Sequence, residues 1–200
     1  MHETSPAATT KPWDARLASL LVRPLVGTPV HPNHLTTLSL VTGLVAAALY
    51  GTTDRSAANW GAAFYVVTNL LDHADGELAR LAGKTSVAGG AYDRLSDLVV
   101  RASLFMGVGL GLRDGRLGTW AVVAGVMTAA ALVIIFALRT EQARHKGPAA
   151  LNQPSAAGFD LSDVLYLIAP LTWLGWLEPF LVAAGIGAVV FCVWTARRRQ

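Results

Sequence analysis

Four aspartates lie close together in a chain that is otherwise strongly apolar: Asp72, Asp75, Asp93 and Asp97. At about 100° per residue of an α-helix, the first two share one helical stripe and the last two share a stripe on the following helix. Four like charges in apolar surroundings repel, so protonation or bound cations must neutralise them. Carboxylate oxygens suit Mg²⁺, Mn²⁺ or Ca²⁺. Two divalent ions would balance four carboxylates, and such a pair typically clamps a phosphoryl group.

The residues beside the aspartates also suit a phosphate-containing ligand. Arg80 falls on the stripe of Asp72 and Asp75, and its guanidinium can pair with phosphate oxygens. Gly76 and Ala79 on that stripe leave little side-chain bulk, and Gly89 lies one turn before Asp93. Small residues in membrane helices usually serve close packing. The whole pattern nevertheless favours a metal-bound diphosphate with a slender group lying against Gly76 and Ala79.

The spacing of these residues resembles the signature of the CDP-alcohol phosphotransferase family. The pattern is Asp72-x-x-Asp75-Gly76-x-x-Ala79-Arg80, eight residues, and then Gly89-x-x-x-Asp93-x-x-x-Asp97. The segment HPNHLTTLSL at 31–40 is similar to the Pro-Asn-x-x-Thr entry to the first span of that family. The resemblance implies an enzyme that cleaves the diphosphate of a CDP-linked substrate, passes the substituted phosphate to an alcohol, and releases CMP.

The resemblance also implies a role for each signature residue. Two divalent cations, Mg²⁺ or Mn²⁺, would be bound by the aspartates, and Asp97 would in addition be the general base for the acceptor hydroxyl. The expected metal ligands are Asp72, Asp75, Asp93 and Asp97, and the expected CDP-binding residues are Gly76, Ala79, Arg80, Gly89, Asn33 and Thr36. For Asn33 and Thr36, capping of the first spanning helix is an equally good interpretation. A homodimer is also implied.

The substrate pair is less constrained than the reaction type. We expect transfer of phosphatidyl from CDP-diacylglycerol to a polar alcohol in phospholipid biosynthesis. The alternative is a CDP-alcohol of the choline, ethanolamine or inositol type reacting with a lipid or polyol acceptor. Arg139, Arg144 and Lys146 could bind a phosphate on the acceptor, although their position at a helix end makes them more typical of topology-determining charges.

Two rival functions explain the aspartates less well. An intramembrane prenyltransferase would normally carry a second aspartate motif far along the chain, and it would leave Gly76, Ala79, Arg80 and Gly89 unexplained. A cation or proton transporter could use carboxylates as a relay. However, the aspartates fall at one membrane face, and the motif is not repeated in the second half of the chain.

The composition indicates that membrane helices position these residues. Of 200 residues, 53% are hydrophobic and 14% are charged, against about 25% charged in ordinary soluble domains. We predict an all-α polytopic membrane protein with about six transmembrane helices. The predicted spans are 35–52, 57–79, 92–112, 117–138, 161–177 and 179–196.

Two features of the predicted architecture lie outside these spans. Residues 13–26 predict a short interfacial amphipathic helix within an N-terminal segment, 1–30, ahead of a membrane domain, 31–200. Span one is expected to begin near Asn33 and to be capped by it. The glycines at 107–112, with Gly185 and Gly187, are expected to be helix-packing positions.

The basic residues predict the orientation of the chain. Most of them fall in the N-terminal segment, the loops after spans two and four, and the C-terminal tail. The positive-inside rule then makes both termini and the active site cytoplasmic, and it explains these charges without nucleic acid. The high arginine and alanine content suggests a GC-rich bacterial genome, which would place the protein in the bacterial cell (inner) membrane.

Overall fold

The computed structural model describes residues 13–147, 155–156, 159–160 and 165–197. These residues form seven α-helices, a 3₁₀ turn at Arg23–Leu25 and one minimal antiparallel ladder. The helices are α1 (Trp13–Val22), α2 (Pro32–Tyr50), α3 (Arg55–Leu81), α4 (Val87–Gly111), α5 (Thr119–Lys146), α6 (Ile168–Trp173) and α7 (Leu177–Arg197), and the strands are β1 (Ser155–Ala156) and β2 (Phe159–Asp160). The predicted all-α class is confirmed.

Helix α2 is the central element of the part that positions the aspartates. It packs along both α3 and α4, whereas α3 and α4 make few direct contacts with each other. Hydroxyl groups join α2 to α3: the Ser39 hydroxyl donates to the Thr68 carbonyl at 3.1 Å, and the Thr68 hydroxyl donates to Thr42 at 2.9 Å. The helices that carry the two aspartate pairs are therefore held in place mainly through a third helix.

Glycines allow α4 to approach its neighbours closely. A methyl group at Gly107 or Gly111 would run into backbone carbonyls of α2, those of Ala47 and Tyr50. On another face of α4, a methyl at Gly109 would meet the Ala121 carbonyl of α5. The predicted packing role of the 107–112 glycines is thus confirmed. In α7, a methyl at Gly185 would lie 3.1 Å from the Thr128 hydroxyl, whereas one at Gly187 would meet no neighbouring atom within 4 Å.

In the described part of the chain, two helices are long and apolar enough to cross a membrane, Thr119–His145 within α5 and Leu177–Arg197. Helices α2, α3 and α4 are long but carry more polar residues, because their facing sides hold the hydroxyl contacts and the aspartates. The predicted fifth span, 161–177, differs most from the structure: α6 has six residues, about 9 Å of helix. It ends before Gly175, whose φ of +77° is incompatible with a continuing helix. Residues 161–164 lie outside the described part.

The connection between α3 and α4 is shorter than the predicted spans 57–79 and 92–112 imply. The Gly83 N–H donates to the Arg80 carbonyl and the Lys84 N–H to the Ala79 carbonyl, which is a Schellman ending with Gly83 at φ +63°. Ser86 then caps α4 by accepting from the Gly89 N–H at 2.9 Å. The glycines at 89 and 90 therefore lie in the first turn of α4 and not in the linker.

The close approach of α4 to α2 gives a first prediction. Gly107→Ala should lower the free energy of unfolding by about 1–3 kcal/mol, because the added methyl would collide with the backbone of α2. Thermal melting in detergent would measure the change. Gly187→Ala is the matched control, since nothing lies within 4 Å of its added carbon. Equal melting temperatures for the two variants would contradict the packing described here.

Candidate active site

The four aspartates lie at one end of the α2–α3–α4 unit. Asp72 and Asp75 are in the last turns of α3, and Asp93 and Asp97 are in the first turns of α4. The N-terminus of α2 lies at the same end, because Lys84 in the α3–α4 connection donates to the Val30 carbonyl at 3.1 Å, just before α2. Three helix ends therefore surround the carboxylates.

The start of α2 differs from the prediction. The helix begins at Pro32, and His31 is its N-cap: the His31 ring accepts from the Asn33 N–H, and the His34 ring accepts from the His31 N–H. The prediction that Asn33 caps this helix is wrong, because proline fills the first helical position and puts the cap one residue earlier. The side chain of Asn33 is thereby left to face α4.

Thr36 links α2 directly to the aspartate cluster. Its hydroxyl donates to Asp75 Oδ2, and both side chains are buried, with 3% of Thr36 and 4% of Asp75 exposed. A buried carboxylate needs such hydrogen-bond donors. Thr36 therefore positions Asp75, which is a more specific role than the helix capping considered from the sequence.

The other three aspartates face one another across the gap between α3 and α4. The Asp72 carboxyl group is within hydrogen-bonding reach of Asp97 and also faces the charge of Asp93. The Arg101 guanidinium binds Asp97 Oδ2 at 2.7 Å. The structure therefore brings the two predicted aspartate stripes together. It adds one cation, Arg101, which was not among the predicted site residues.

Arg101 could have been recognised from its spacing. Asp93, Asp97 and Arg101 are each four residues apart, so they share one face of α4. His73 follows Asp72 on α3 and is offset from the aspartate stripe, yet it lies close enough to Asp93 for its charge to act on that carboxylate. The Tyr166 hydroxyl lies 3.1 Å from His73 Nδ1. This contact joins residues far apart in the chain, and no local pattern indicates it.

The small residues of the signature lie beside polar groups. A methyl at Gly89 would lie 3.3 Å from Asn33 Oδ1 and 2.9 Å from the Ser86 hydroxyl, so Asn33 and Gly89 are neighbours across α2 and α4. A methyl at Gly76 would lie 3.5 Å from the Arg80 guanidinium. The predicted nucleotide residues thus form two groups, one at Gly89 and one at Gly76, with Ala79 half-buried on α3.

Arg80 is held by one ion pair, but most of its side chain is exposed. Its guanidinium binds Glu77 Oε1 at 3.0 Å, and 62% of the Arg80 side chain is exposed while Glu77 is buried. An exposed guanidinium held by one carboxylate still has donors directed outward for an anion. Glu77 is a second residue that the sequence interpretation missed, although its i, i+3 spacing to Arg80 indicates the pair.

The three basic residues predicted for the acceptor lie at the end of α5. Arg139 is half-buried. Arg144 is exposed and lies 3.8 Å from Glu141. Lys146 closes α5, and its side chain lies outside the described part.

The carboxylates do not form a finished metal site by themselves. Within the residues that the structure describes, no three His, Cys, Asp or Glu side chains are grouped so that they could hold one ion. Two of the carboxylates have other partners in this arrangement, since Arg101 binds Asp97 and Thr36 binds Asp75. The donor set is nevertheless all carboxylate oxygen, which is the chemistry that Mg²⁺ and Mn²⁺ require.

Comparison with known proteins identifies the family. Residues 29–194 match the model of the CDP-alcohol phosphatidyltransferase family. The chain belongs to this family. The resemblance inferred from the aspartate spacing is confirmed, and the protein is a transferase of substituted phosphate groups. No curated protein sequence matches this family member.

Solved structures show the same fold. Phosphatidylinositol phosphate synthase from Mycobacterium tuberculosis with CDP-DAG bound is 18% identical, with a TM-score of 0.71 over 91% of this chain and 92% of that chain. The same enzyme in complex with manganese and citrate is 17% identical, with a TM-score of 0.71 over 90% and 87% of the two chains. At these identities the similarity concerns the arrangement of the helices.

The Gly89 contacts give a second prediction for this family member. Gly89→Ala should weaken CDP binding roughly tenfold, because an added methyl would disturb Ser86 and Asn33 at a cost of about 1–2 kcal/mol. Calorimetric titration with CDP would measure it. Gly90→Ala is the matched control, since its methyl would meet only the flexible tip of Arg94. Equal CDP affinities in both variants would remove Gly89 from the nucleotide site.

Proposed function

We propose that this protein transfers the phosphatidyl group of CDP-diacylglycerol to the hydroxyl of a polar alcohol and releases CMP, as a step of phospholipid biosynthesis. The observation that carries the proposal is the cluster of Asp72, Asp75, Asp93 and Asp97 at one end of helices whose outward faces are apolar. A diphosphate headgroup could lie at the cluster while acyl chains lie along those outward faces. The family membership supports the reaction type.

Asp72, Asp75, Asp93 and Asp97 would hold the divalent cations, with two Mg²⁺ or Mn²⁺ ions as the proposed number. Their oxygens suit these ions, and the Mycobacterium tuberculosis enzyme of the same fold has been crystallised with manganese. When bound, such ions withdraw charge from a diphosphate and make CMP a better leaving group. The hydroxyl of Thr36 would orient Asp75 as a metal ligand.

Asp97 would act as the general base. The acceptor oxygen forms a bond to the phosphatidyl phosphorus, the bond from that phosphorus to the CMP oxygen breaks, and the hydroxyl proton passes to the Asp97 carboxylate. Asp97 is suited to this role because 31% of its side chain is exposed. An accessible carboxylate can receive a proton from an incoming alcohol.

The CDP part would bind between the two glycine positions. Arg80 would pair with phosphate oxygens above Gly76, where the absence of a side chain lets the ligand approach the backbone of α3. Ala79 would extend this open surface. Asn33 and Gly89 would contact the nucleotide from the α2–α4 side, with the Asn33 amide as a hydrogen-bonding group.

Arg139 is the best of the three candidates for the acceptor. The contacts of Gly109 with Ala121 and of Gly125 with Phe105 set an antiparallel register between α4 and α5. If this register continues along both helices, Arg139 of α5 is level with Ala91 of α4. Ala91 lies at the end of α4 that carries Asp93. A phosphate on the acceptor would find a cation there. Arg144 and Lys146 lie further along α5 and would contribute mainly to topology.

The distribution of surface residues supports a membrane domain over 31–200. Large apolar side chains are exposed on α2, α3 and α4, while threonine, serine and acidic side chains are buried between them, which is the reverse of a soluble protein. Four exposed tryptophans, Trp60, Trp120, Trp173 and Trp176, lie at the end opposite the aspartates, whereas the exposed Trp194 lies in the last turn of α7. Trp60 and Leu78 are separated by about 27 Å of helix, close to the roughly 30 Å of a bilayer core.

Helix α1 would lie at the interface nearest the site, within the separate segment 1–30. Its Ala18 and Val22 are buried and pack beside Leu78 of α3, while Leu17, Leu20 and Leu21 are exposed. An exposed leucine stripe is typical of a helix that enters a lipid headgroup region. With the positive-inside rule, this interface is the cytoplasmic side of a bacterial cell membrane. The homodimer and the six-span topology stay predictions.

The donor and acceptor can be tested directly. CDP-diacylglycerol, CDP-choline and CDP-ethanolamine should be offered with inositol phosphate, glycerol phosphate, serine and inositol, and CMP and lipid products measured. We expect CMP release from CDP-diacylglycerol with one of these acceptors, and only with Mg²⁺ or Mn²⁺ present. Asp75→Ala provides the inactive control. CMP release from CDP-choline or CDP-ethanolamine alone would favour the alternative class, and no CMP release from any donor would refute the proposal.

The base assignment gives a further prediction. Asp97→Asn should lower kcat by about 10²-fold or more, since an amide cannot accept the hydroxyl proton, while CDP binding persists. Asp114→Asn in the exposed loop after α4 is the control and should retain full activity. Single-turnover CMP release, paired with CDP titration, separates catalysis from binding. A kcat within a few-fold of the parent enzyme would exclude Asp97 as the base.

A further inference from the structure

Arg101 is the cation of the described part that forms an ion pair with an aspartate of the cluster, and Arg94 is a second cation whose charge acts on Asp93. Its guanidinium binds Asp97 at 2.7 Å, and only 22% of its side chain is exposed. Asp72, Asp93 and the buried Tyr65 also face its charge. Arg94, the other arginine of α4, is exposed and points to the first turn of that helix. Its tip lies 3.3 Å from the position of a methyl on Gly90.

A charge balance explains why an arginine in this position matters. Four carboxylates at the end of apolar helices are costly without nearby positive charge. Arg101 supplies one positive charge, and it does so by binding Asp97, which is one of the proposed metal ligands. A guanidinium cannot lose its proton in a protein, so it repels any divalent ion that enters the cluster. Arg101 and an ion therefore compete for the same carboxylate.

We propose that Arg101 is a positioning residue that serves as the counter-charge of the aspartate cluster. When a divalent ion binds, Arg101 releases Asp97 to that ion. Before ion binding, it holds Asp97 beside Asp72 and limits the repulsion among the carboxylates. It also weakens ion binding, because each ion must displace or lie beside a fixed positive charge. The inference concerns the metal site of the proposed function and depends on it for the exchange step.

Two other roles for Arg101 make different predictions. If the ion pair were purely structural, its removal would affect folding. The affinity for the divalent ion would then be unchanged or weaker. A guanidinium that binds the substrate diphosphate would affect CDP affinity and leave ion affinity unchanged. Only the counter-charge role requires that ion affinity rises when Arg101 is neutralised.

Mn²⁺ titration of the detergent-solubilised full chain, followed by electron paramagnetic resonance, tests the proposal without any turnover. Arg101→Gln should bind Mn²⁺ about tenfold more tightly than the parent protein, since a neighbouring positive charge has been removed. Arg101→Lys keeps the charge and should bind Mn²⁺ like the parent. Arg113→Gln, just beyond the far end of α4, is the matched control; Arg113 donates to the Leu110 carbonyl and should not affect the site.

The Mn²⁺ affinity decides the outcome. Tighter binding by Arg101→Gln, with Arg101→Lys and Arg113→Gln unchanged, supports the counter-charge role, and equal or weaker binding overturns it. If Arg101→Gln does not fold, Asp97→Asn is compared with Asp97→Asn/Arg101→Gln, in which both members of the pair are neutral. Higher Mn²⁺ affinity in the double variant supports the proposal, and equal or lower affinity overturns it.

Failure of the proposed metal site would be visible separately, as absence of Mn²⁺ binding by the parent protein. The melting temperature in chelator then decides the role of Arg101. If the melting temperature falls in Arg101→Gln but not in Arg101→Lys, the result supports a counter-charge for the carboxylates. An equal melting temperature in Arg101→Gln and the parent overturns it.

Discussion

The electrostatic cost of grouping carboxylates inside an apolar helix bundle is the constraint on which this structure depends. Asp72, Asp75, Asp93 and Asp97 repel one another and gain little from solvent, so each needs a compensating partner. The structure provides such a partner for two of them: a hydroxyl from Thr36 on α2 for Asp75, and a guanidinium from Arg101 on α4 for Asp97. A cluster that is only partly neutralised remains ready to bind cations, which is the property that phosphoryl transfer requires.

Helix α2 converts this electrostatic arrangement into a defined geometry. Because α3 and α4 scarcely touch each other, their separation is set by how each one packs on α2. The glycines of α4 bring its backbone against α2, and the Ser39, Thr42 and Thr68 hydroxyls hold α3 on another side. The gap that remains between α3 and α4 is where the carboxylates face one another. Packing well away from the site therefore determines the distance between its two halves.

The same three helices show how the polar site coexists with a lipid-facing exterior. Hydroxyl and carboxylate groups are directed inward, and valine, leucine and phenylalanine side chains are directed outward. This arrangement satisfies the polar groups where lipid could not. The aspartates and the inward hydroxyl groups are among the polar residues that make α2, α3 and α4 less apolar than α5 and α7.

The sequence alone determined the features that repeat within one helix, because the helical period fixes which residues share a face. The aspartate stripes and the proximity of Arg80 to Gly76 both follow from local spacing. Tertiary structure decided the contacts between helices, which depend on rotation and register. Thr36 with Asp75, Asn33 with Gly89 and Tyr166 with His73 are such contacts. The cap of α2 and the short α6 also escaped the sequence pattern, since proline and glycine near a helix end shift its boundary in ways that hydropathy does not record.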